Sequence, residues 1–568
     1  MRAHYKYTVA LAALALPAAA QAQYYGNDEV TGGGGAASGQ DSGGFGNSAS
    51  PVQTRERPRI EPYLEVNQVV LQELSPGSDT VTYTQLAAGV DASVQGRNNA
   101  ASVSLRYERN IGYGDAAVDS DTVTGIARGY TAVVPQVLTV EAGALAARTR
   151  VGSSGSSTFN SVEGVSEDVE GEIYSVYAGP TLSTNVGAAQ VAANYRFGYN
   201  RVDGPDVVPF DGVGDPVDIF DESTVHSASA NVGVRPGDVL PIGVGVGGGF
   251  YQEDISNLDQ RVRDVYARAD VTVPVTPSIA LVGGVGYEDV QVSSRDVVRD
   301  AAGDPVIDAS GRFVTDSSVP RQISFETDGL IWDVGVVWRP SSRTAFEAHY
   351  GRRYDSDTYY GSFAYAPDAR SSLNVSVYDG ISGFGGQLNN ALANVSTDFT
   401  AGRNPLTGDF NGCTAGAEGG ACLGGALSSV RSAAYRSRGV SASYSRQLGR
   451  INTGLGLGYD RRTFIAARNT VLGSVDGLTD ENYYATVFVS GDIGRDAGFN
   501  ANAYINYIDN GAPTAGDATV LGASAGYNQY IWQGLSARAA VAIDHLDSEL
   551  AVEDLTTASA LFGLRYDF

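Results

Sequence analysis

Ala560-Leu561-Phe562-Gly563-Leu564-Arg565-Tyr566-Asp567-Phe568 is the last stretch of the chain. Phe562, Leu564, Tyr566 and Phe568 share one parity and are apolar or aromatic. Gly563, Arg565 and Asp567 share the other and are small or charged. Successive side chains of a strand point to opposite faces, so one face of this strand suits lipid and the other suits water. A soluble sandwich can end on such a strand too, and the rest of the chain has to decide between them.

Working back from that end, the same period of two recurs. Leu535, Ala537, Ala539, Val541 and Ile543 alternate with Ser536, Arg538 and Asp544. Ile451, Leu455, Leu457 and Tyr459 alternate with Asn452, Gly454, Gly456, Gly458 and Asp460, and Val103, Leu105 and Tyr107 with Ser102, Ser104, Arg106 and Glu108. No convincing helical period of 3.6 is found after the N-terminal segment. Strand-like segments fall at 60–72, 80–95, 99–112, 121–134, 137–151, 171–184, 186–202, 223–236, 240–254, 261–274 and 277–293. They continue at 321–338, 343–354, 358–366, 370–378, 431–447, 450–466, 482–492, 498–509, 517–531, 535–547 and 556–568. Most exceed the roughly 9–11 residues that a tilted strand needs to cross the hydrocarbon core.

The connections alternate in length. The short set is 96–98, 135–136, 185, 237–239, 275–276, 339–342, 367–369, 448–449, 493–499 and 532–534. The long ones, 152–170, 203–222, 294–320, 379–430 and 467–481, all fall in the other class. A sandwich has no reason to sort its loops; a meandering membrane barrel does, with short turns on the periplasmic side and long loops outside. The expected fold is all-β: a transmembrane antiparallel up-and-down β-barrel of about 22 strands, within roughly 18–26. Both termini are then periplasmic, and the location is the outer membrane of a Gram-negative bacterium. In that setting the terminal stretch Phe562, Leu564, Tyr566, Phe568 resembles the β-signal that the barrel-assembly machinery reads.

The N-terminus fits export. Arg2 and Lys6 precede the apolar run Val9–Ala20, and Ala20-Gln21-Ala22 has the form of a cleavage site, so residues 1–22 read as a signal peptide. Residues 23–59, with Gly32–Gly35 and Gly43-Gly44, read as a disordered Gly/Ser-rich periplasmic leader. Residues 60–568 form the barrel domain.

The chain is acidic, with 64 Asp and Glu against 38 Lys and Arg, which argues against nucleic acid as a partner. Asp203, Asp206, Asp211, Asp215, Asp218, Asp221 and Glu222 crowd one long loop, and a solvated surface is their default meaning. No calcium-loop alternation, G-x-S-x-G or H-E-x-x-H pattern occurs, so no metal or cofactor is expected. Cys413 and Cys422, the only 2 cysteines, sit in a Gly-rich part of the longest connection. In an exported chain they are expected to be oxidised, stabilising that loop by roughly 2–3 kcal/mol. By parity His226 and His545 face lipid, and His349 faces the lumen with Glu347, Gly351 and Arg353. A lumenal polar network is the plain reading of His349; a Ser–His–acid site is the sharper one. Gly243, Gly245, Gly247 and Gly249 lie within a strand and precede no helix, so they form no phosphate loop but mark a wall approached closely by a loop or backbone.

Arg343-Thr344-Ala345-Phe346-Glu347-Ala348-His349-Tyr350-Gly351-Arg352-Arg353-Tyr354, then Asp357–Phe363 and Asn374–Tyr378, resemble a barrel family associated with the PEP-CTERM exopolysaccharide and surface-sorting system. Ile60–Asn67 resembles the first strand of that family. The resemblance implies an outer-membrane location and no catalytic residues. The name of the preprotein translocase subunit YajC is attached to relatives of this kind, but genuine YajC is small with one inner-membrane helix, and nothing in this chain matches it.

The expected function is a conduit, porin-like or associated with exopolysaccharide export. A non-conducting surface protein whose acidic loops bind partners is the alternative, and a barrel enzyme the minor one. Expected partners are outer-membrane lipid and lipopolysaccharide, the assembly machinery and polysaccharide. With no N-terminal plug, occlusion of so wide a barrel would come from 379–430. Deleting Phe568 should sharply lower the yield of protein in the outer membrane, whereas Asp567→Asn should be nearly silent. Equal yields of the two variants in isolated membranes would show that the last strand is not the assembly signal.

Overall fold

The computed structural model describes residues 58–113, 119–151, 157–158, 170–204, 222–309, 311–368, 370–415, 420–511, 516–549 and 554–568. The expected signal peptide, almost all of the expected leader, and Asp206, Asp211, Asp215, Asp218 and Asp221 lie outside the described residues.

Among the described residues, 22 strands close into one antiparallel ring. In order they are β1 Arg59–Ser75, β2 Thr80–Gln95, β3 Asn99–Tyr113, β4 Ser120–Val134, β5 Leu138–Val151, β6 Glu170–Val186, β7 Ala189–Asp203, β8 Glu222–Val234, β9 Gly243–Ile255, β10 Gln260–Thr276 and β11 Ile279–Ser294. Then come β12 Gln322–Ser341, β13 Thr344–Arg353, β14 Ser356–Asp368, β15 Ser371–Ser382, β16 Tyr435–Leu448, β17 Ile451–Phe464, β18 Thr479–Ile493, β19 Ala497–Asp509, β20 Ala518–Trp532, β21 Leu535–Ser548 and β22 Leu555–Asp567. Each strand pairs with its sequence neighbours, and β22 returns to β1 in a register running from Tyr63↔Asp567 to Ser75↔Thr556. The Phe568 N–H donates to the Pro62 carbonyl at 3.1 Å.

The alternation in sequence becomes an inside and an outside. Along β1, Tyr63, Glu65, Asn67, Val69 and Leu71 are buried, while Leu64, Val66 and Val70 are exposed. Outward apolar side chains continue around the ring, for example Val271, Leu281, Val334, Leu457, Val487, Ile505 and Val541. Aromatic residues edge this band: Trp338, Trp532, Tyr566 and Phe568 near the short turns, and Tyr459, Tyr483 and Tyr507 in a row of ring contacts on the other side. That is the surface of a membrane-spanning barrel. No helix of the described residues is long and apolar enough to cross a membrane.

The seam between β22 and β1 is tied from within. Glu65 lies between the guanidinium of Arg106 at 2.5 Å, that of Arg565 at 3.2 Å and that of Arg538. Arg565 also lies over the Tyr63 ring, 3.7 Å from its centroid. One carboxylate thus joins the first, third and last two strands.

The long connections all fall on one rim, although that rim also carries short ones. Between β13 and β14 the long-loop rim carries only Tyr354 and Asp355, both left-handed with φ of 55° and 53°. The connection from β11 to β12 is a folded arm with bridges Val297↔Thr315 and Ile307↔Phe313. It leans on the β17–β18 connection, where the Val471 N–H donates to Asp296 at 2.9 Å.

Three expectations are corrected. A helix, α1, spans Phe384–Ala393, although no helical period stood out after the N-terminus. It is only 10 residues long, begins with two glycines in its first three positions, and owes its stability to what it packs against, which a periodicity window does not see. The sixteenth strand starts at Tyr435 and not at 431, because the four residues before it belong to the segment carrying α1. That segment, 383–434, is not an outside loop; it is folded into the lumen, and it falls in the connection 379–430 from which occlusion was expected.

Candidate functional site

A 22-stranded ring is too wide for its own wall side chains to fill. Segment 383–434 fills one half of this lumen. It comprises α1 and a small antiparallel sheet of Thr400–Arg403, Phe410–Ala415 and Ala421–Cys422. Leu388, Leu392, Val395, Phe410, Leu423 and Leu427 pack against Ile126, Leu145, Ile173 and Val202 of β4–β7. On another side Leu406 meets Val69, Leu71, Tyr83 and Leu561 across the seam. The segment therefore has its own apolar core, shared with two patches of wall.

The rest of its seat is polar. Arg148 of β5 reaches Asp409 at 2.6 Å, and Arg403 donates to Ser104 of β3 at 3.0 Å. Ser102 donates to the Thr397 carbonyl at 2.9 Å, and Asn389 of α1 donates to Asn200 of β7 at 2.9 Å. At the far end Arg431, 0% exposed, pairs with Asp480 of β18 at 2.6 Å. Burial pushes this guanidinium below its ordinary range, and the Asp480 charge opposes the fall. Arg462 of β17 donates to the carbonyls of Gly425 and Ser429, and Asn257 donates to Ser432 at 2.7 Å. The mouth loops cap this end: Val297 of the arm and Leu472 and Val475 of the β17–β18 connection cluster with Ala433 and Phe464.

The closure is one-sided. Towards the long loops, the wall residues facing the segment are buried, as Gly198, Asn200 and Val202 are on β7. Towards the short turns, Ala189–Asn194 of the same strand are part-exposed at both parities, and so are Thr344–Ala348 of β13. Beside β7 and β13 the short-turn half is a vestibule open to solvent, whereas at β2 and β3 the segment reaches the short-turn end, where Gln95 and Ser102 donate to the Thr397 carbonyl. The vestibule wall on β6–β8 includes the uncharged hydrogen-bonding groups of Thr181, Ser183, Asn185, Gln190, Asn194 and Ser229, facing inward by register, with Arg196 beside them paired to Glu141 of β5 at 3.3 Å.

The residues singled out in the sequence fall as follows. Phe562, Leu564, Tyr566 and Phe568 point outward and are exposed. Cys413 and Cys422 form a disulfide. It lies not in a flexible outer loop but inside the lumen, with Cys413 buried beside Phe488 of β18. His226 bonds the Tyr195 hydroxyl at 2.8 Å and His545 bonds Thr556 at 2.9 Å, both on the outer face. His349 is buried on the lumen wall, Nδ1 on Asp333 and Nε2 on Glu347, each at 2.8 Å, and stacked on Tyr360. With both ring nitrogens taken by carboxylates, neither is left for the proton of a serine, so this is a polar network and no hydrolase triad. Along the glycine run the close approach is by neighbouring backbone at Gly247, where a Cβ would stand 2.9 Å from the Ala230 carbonyl oxygen, and by a side chain at Gly249, where it would stand 2.3 Å from the Tyr266 ring. Among the described residues, no group of three or more His, Cys, Asp and Glu could hold a metal ion.

The features that reading the sequence missed are α1, Arg431 with Asp480, and Glu253 beneath the start of α1. A signal for α1 was present: Phe384, Leu388 and Leu392 recur every four residues, and Ala393 and Val395 follow.

No family model matches the chain, and no curated protein matches it. Among solved structures, the siderophore receptor PiuA from Acinetobacter baumannii is similar over 89% of this chain and 82% of that one, at 11% identity and a TM-score of 0.38. The ferric-catecholate import receptor Fiu from E. coli K12, in its closed form, is similar over 90% of this chain and 82% of that one, at 10% identity and a TM-score of 0.42. The copper transporter OprC is similar over 89% and 80%, at 12% identity and a TM-score of 0.36.

Replacing Arg431 by alanine strands Asp480 in a buried setting, a loss of about 3–5 kcal/mol for a broken buried pair. The expected result is new cleavage by limited proteolysis between Leu423 and Ala434 in a barrel that otherwise stays intact. Cleavage no faster than in the parent protein would show that this pair does not hold the segment in place.

Proposed function

We propose that this protein is an outer-membrane conduit for hydrophilic solutes, held closed by its own segment 383–434. The observation that carries the reading is the one-sided filling of the lumen. The long-loop half is packed by a segment of the same chain, while the short-turn half beside β7 and β13 is open and lined by polar groups, among them the charged Arg196 and Glu347. A barrel serving only as a surface scaffold needs no such vestibule. The polar seat supports a segment able to leave: most of its anchors are hydrogen bonds and ion pairs, which water can replace, in contrast to the apolar contacts with β4–β7.

The barrel's outward apolar band and aromatic edges support the membrane location, and the short-turn rim, where β1 begins and β22 ends, is the periplasmic side. A polysaccharide cargo is the finer form of the proposal, in keeping with the family resemblance of Arg343–Tyr354. Its chemical support is the row Thr181, Ser183, Asn185, Gln190, Asn194 and Ser229, whose hydroxyl and amide groups match sugar hydroxyls without selecting for charge.

Planar-bilayer recordings test the conduit. The parent protein should show rare openings, and a variant with 384–433 replaced by a short Gly/Ser linker should conduct steadily. A linker variant that inserts as a folded barrel and stays closed would refute the proposal.

A further inference from the structure

Segment 383–434 enters the lumen on Gly383-Phe384-Gly385-Gly386, and the first turn of α1 lies against β8 and β9. The first N–H groups of a helix have no partner within it. Gly383, at the N-cap, has no side chain to offer an acceptor. The wall offers one instead. Glu253 of β9 accepts the Gly383 N–H on Oε2 at 2.6 Å and the Gly386 N–H on Oε1 at 3.0 Å. The Tyr251 hydroxyl donates to the same carboxylate at 2.6 Å, and so does the Ser223 hydroxyl of β8.

Glu253 is fully buried, and its surroundings differ from those of the other deep lumenal acids. Glu65, Asp264, Glu288, Asp460 and Asp480 each face an arginine. Among the described residues no ion pair reaches Glu253. Its charge is offset by donated hydrogen bonds and by the positive end of α1. The glycines opposite leave room for this contact. A Cβ on Gly386 would stand 1.9 Å from the Tyr251 hydroxyl oxygen and 2.8 Å from Glu253, and one on Gly385 would stand 1.8 Å from the Ser223 hydroxyl oxygen. Two glycines here are poor for a helix and necessary for its seat.

We propose that Glu253 is the latch of the closed state: a wall carboxylate that caps the helix of the lumenal segment and positions it across the conduit. This rests on the reading of 383–434 as the closing element. A carboxylate is suited to the task because it only accepts. Glutamine of the same shape keeps one accepting oxygen and turns an NH₂ towards a backbone donor, so one bond is replaced by a repulsion. The remaining contacts of α1, through Leu388 and Leu392 to the wall and through Asn389 to Asn200, lie further along the helix. Release of the latch frees the entry of the segment first.

The experiment compares open probability in planar bilayers for the parent protein, Glu253→Gln, Gly386→Ala, Glu288→Gln and the linker variant lacking 384–433. Heat-shifted mobility in detergent electrophoresis establishes that each is a closed barrel. Glu253→Gln and Gly386→Ala are expected to raise the open probability at least about tenfold, the scale of losing one hydrogen bond to a charged group. Glu288→Gln, which removes a buried carboxylate that pairs with Arg353 of the wall, should stay at the parent level. If the first two variants remain as closed as the parent while the linker variant conducts, the latch is wrong and the closing segment stands. If Glu288→Gln opens as much as Glu253→Gln, the effect belongs to any lost lumenal charge and the latch is equally wrong. If the linker variant itself stays closed, the underlying reading fails and the latch with it.

Discussion

A wall of strands facing lipid cannot leave its edge groups unpaired, because nothing in the hydrocarbon replaces the missing hydrogen bonds. The ring from β1 to β22 answers that constraint, and much else follows from it. Closure fixes the parity of every strand, so a single register sends one face of the wall to lipid and the other, polar except where it meets the lumenal segment, inward. The inward polar residues then meet a second problem. Twenty-two strands enclose more space than wall side chains can occupy, so charges on the wall must either face water or find partners. On the seam they partner one another through Glu65, as Arg353 and Glu288 do further round, and elsewhere they partner the segment that enters the lumen.

That segment is held in two ways. Its apolar side chains merge with Ile126, Leu145, Ile173 and Val202, which fastens one flank without needing direction. Its other contacts are specific and polar, with Arg148, Asn200, Glu253, Arg462 and Asp480 contributed by five separate strands. Directional contacts of this kind set one position for the segment, and they are also the contacts that water can take over when it moves. The wall residues of β7 and β13 near the short turns remain outside this arrangement and leave the vestibule open.

The barrel was legible because its signals are local and repeated. The outward parity of Leu564 and Phe568, the lumenal parity of His349 and the sorting of the loops all follow from a period of two, which any strand reveals by itself. The strand set matched closely because turn residues such as Gly449 and Gly494, both at positive φ, punctuate it. The contents of the lumen were not legible for the opposite reason. Whether Phe410 or Cys413 lies in solvent or in a packed interior depends on a wall drawn from distant strands. Gly385 and Gly386 read as flexibility until Tyr251 and Ser223 are seen against them. Arg431 carries no sign in the sequence that Asp480 awaits it, and Glu253 reads as one more acid in an acidic chain.

Hydrogen exchange on the lipid-embedded protein tests most directly whether the lumen is closed by its own chain. The amides of Phe384–Ala393 and Phe410–Ala415 should exchange slowly, close to the rates of neighbouring barrel strands such as β7 and β18. Exchange of both stretches at the rate of unprotected amides, with the barrel strands still protected, would mean that the segment does not occupy the lumen in the membrane.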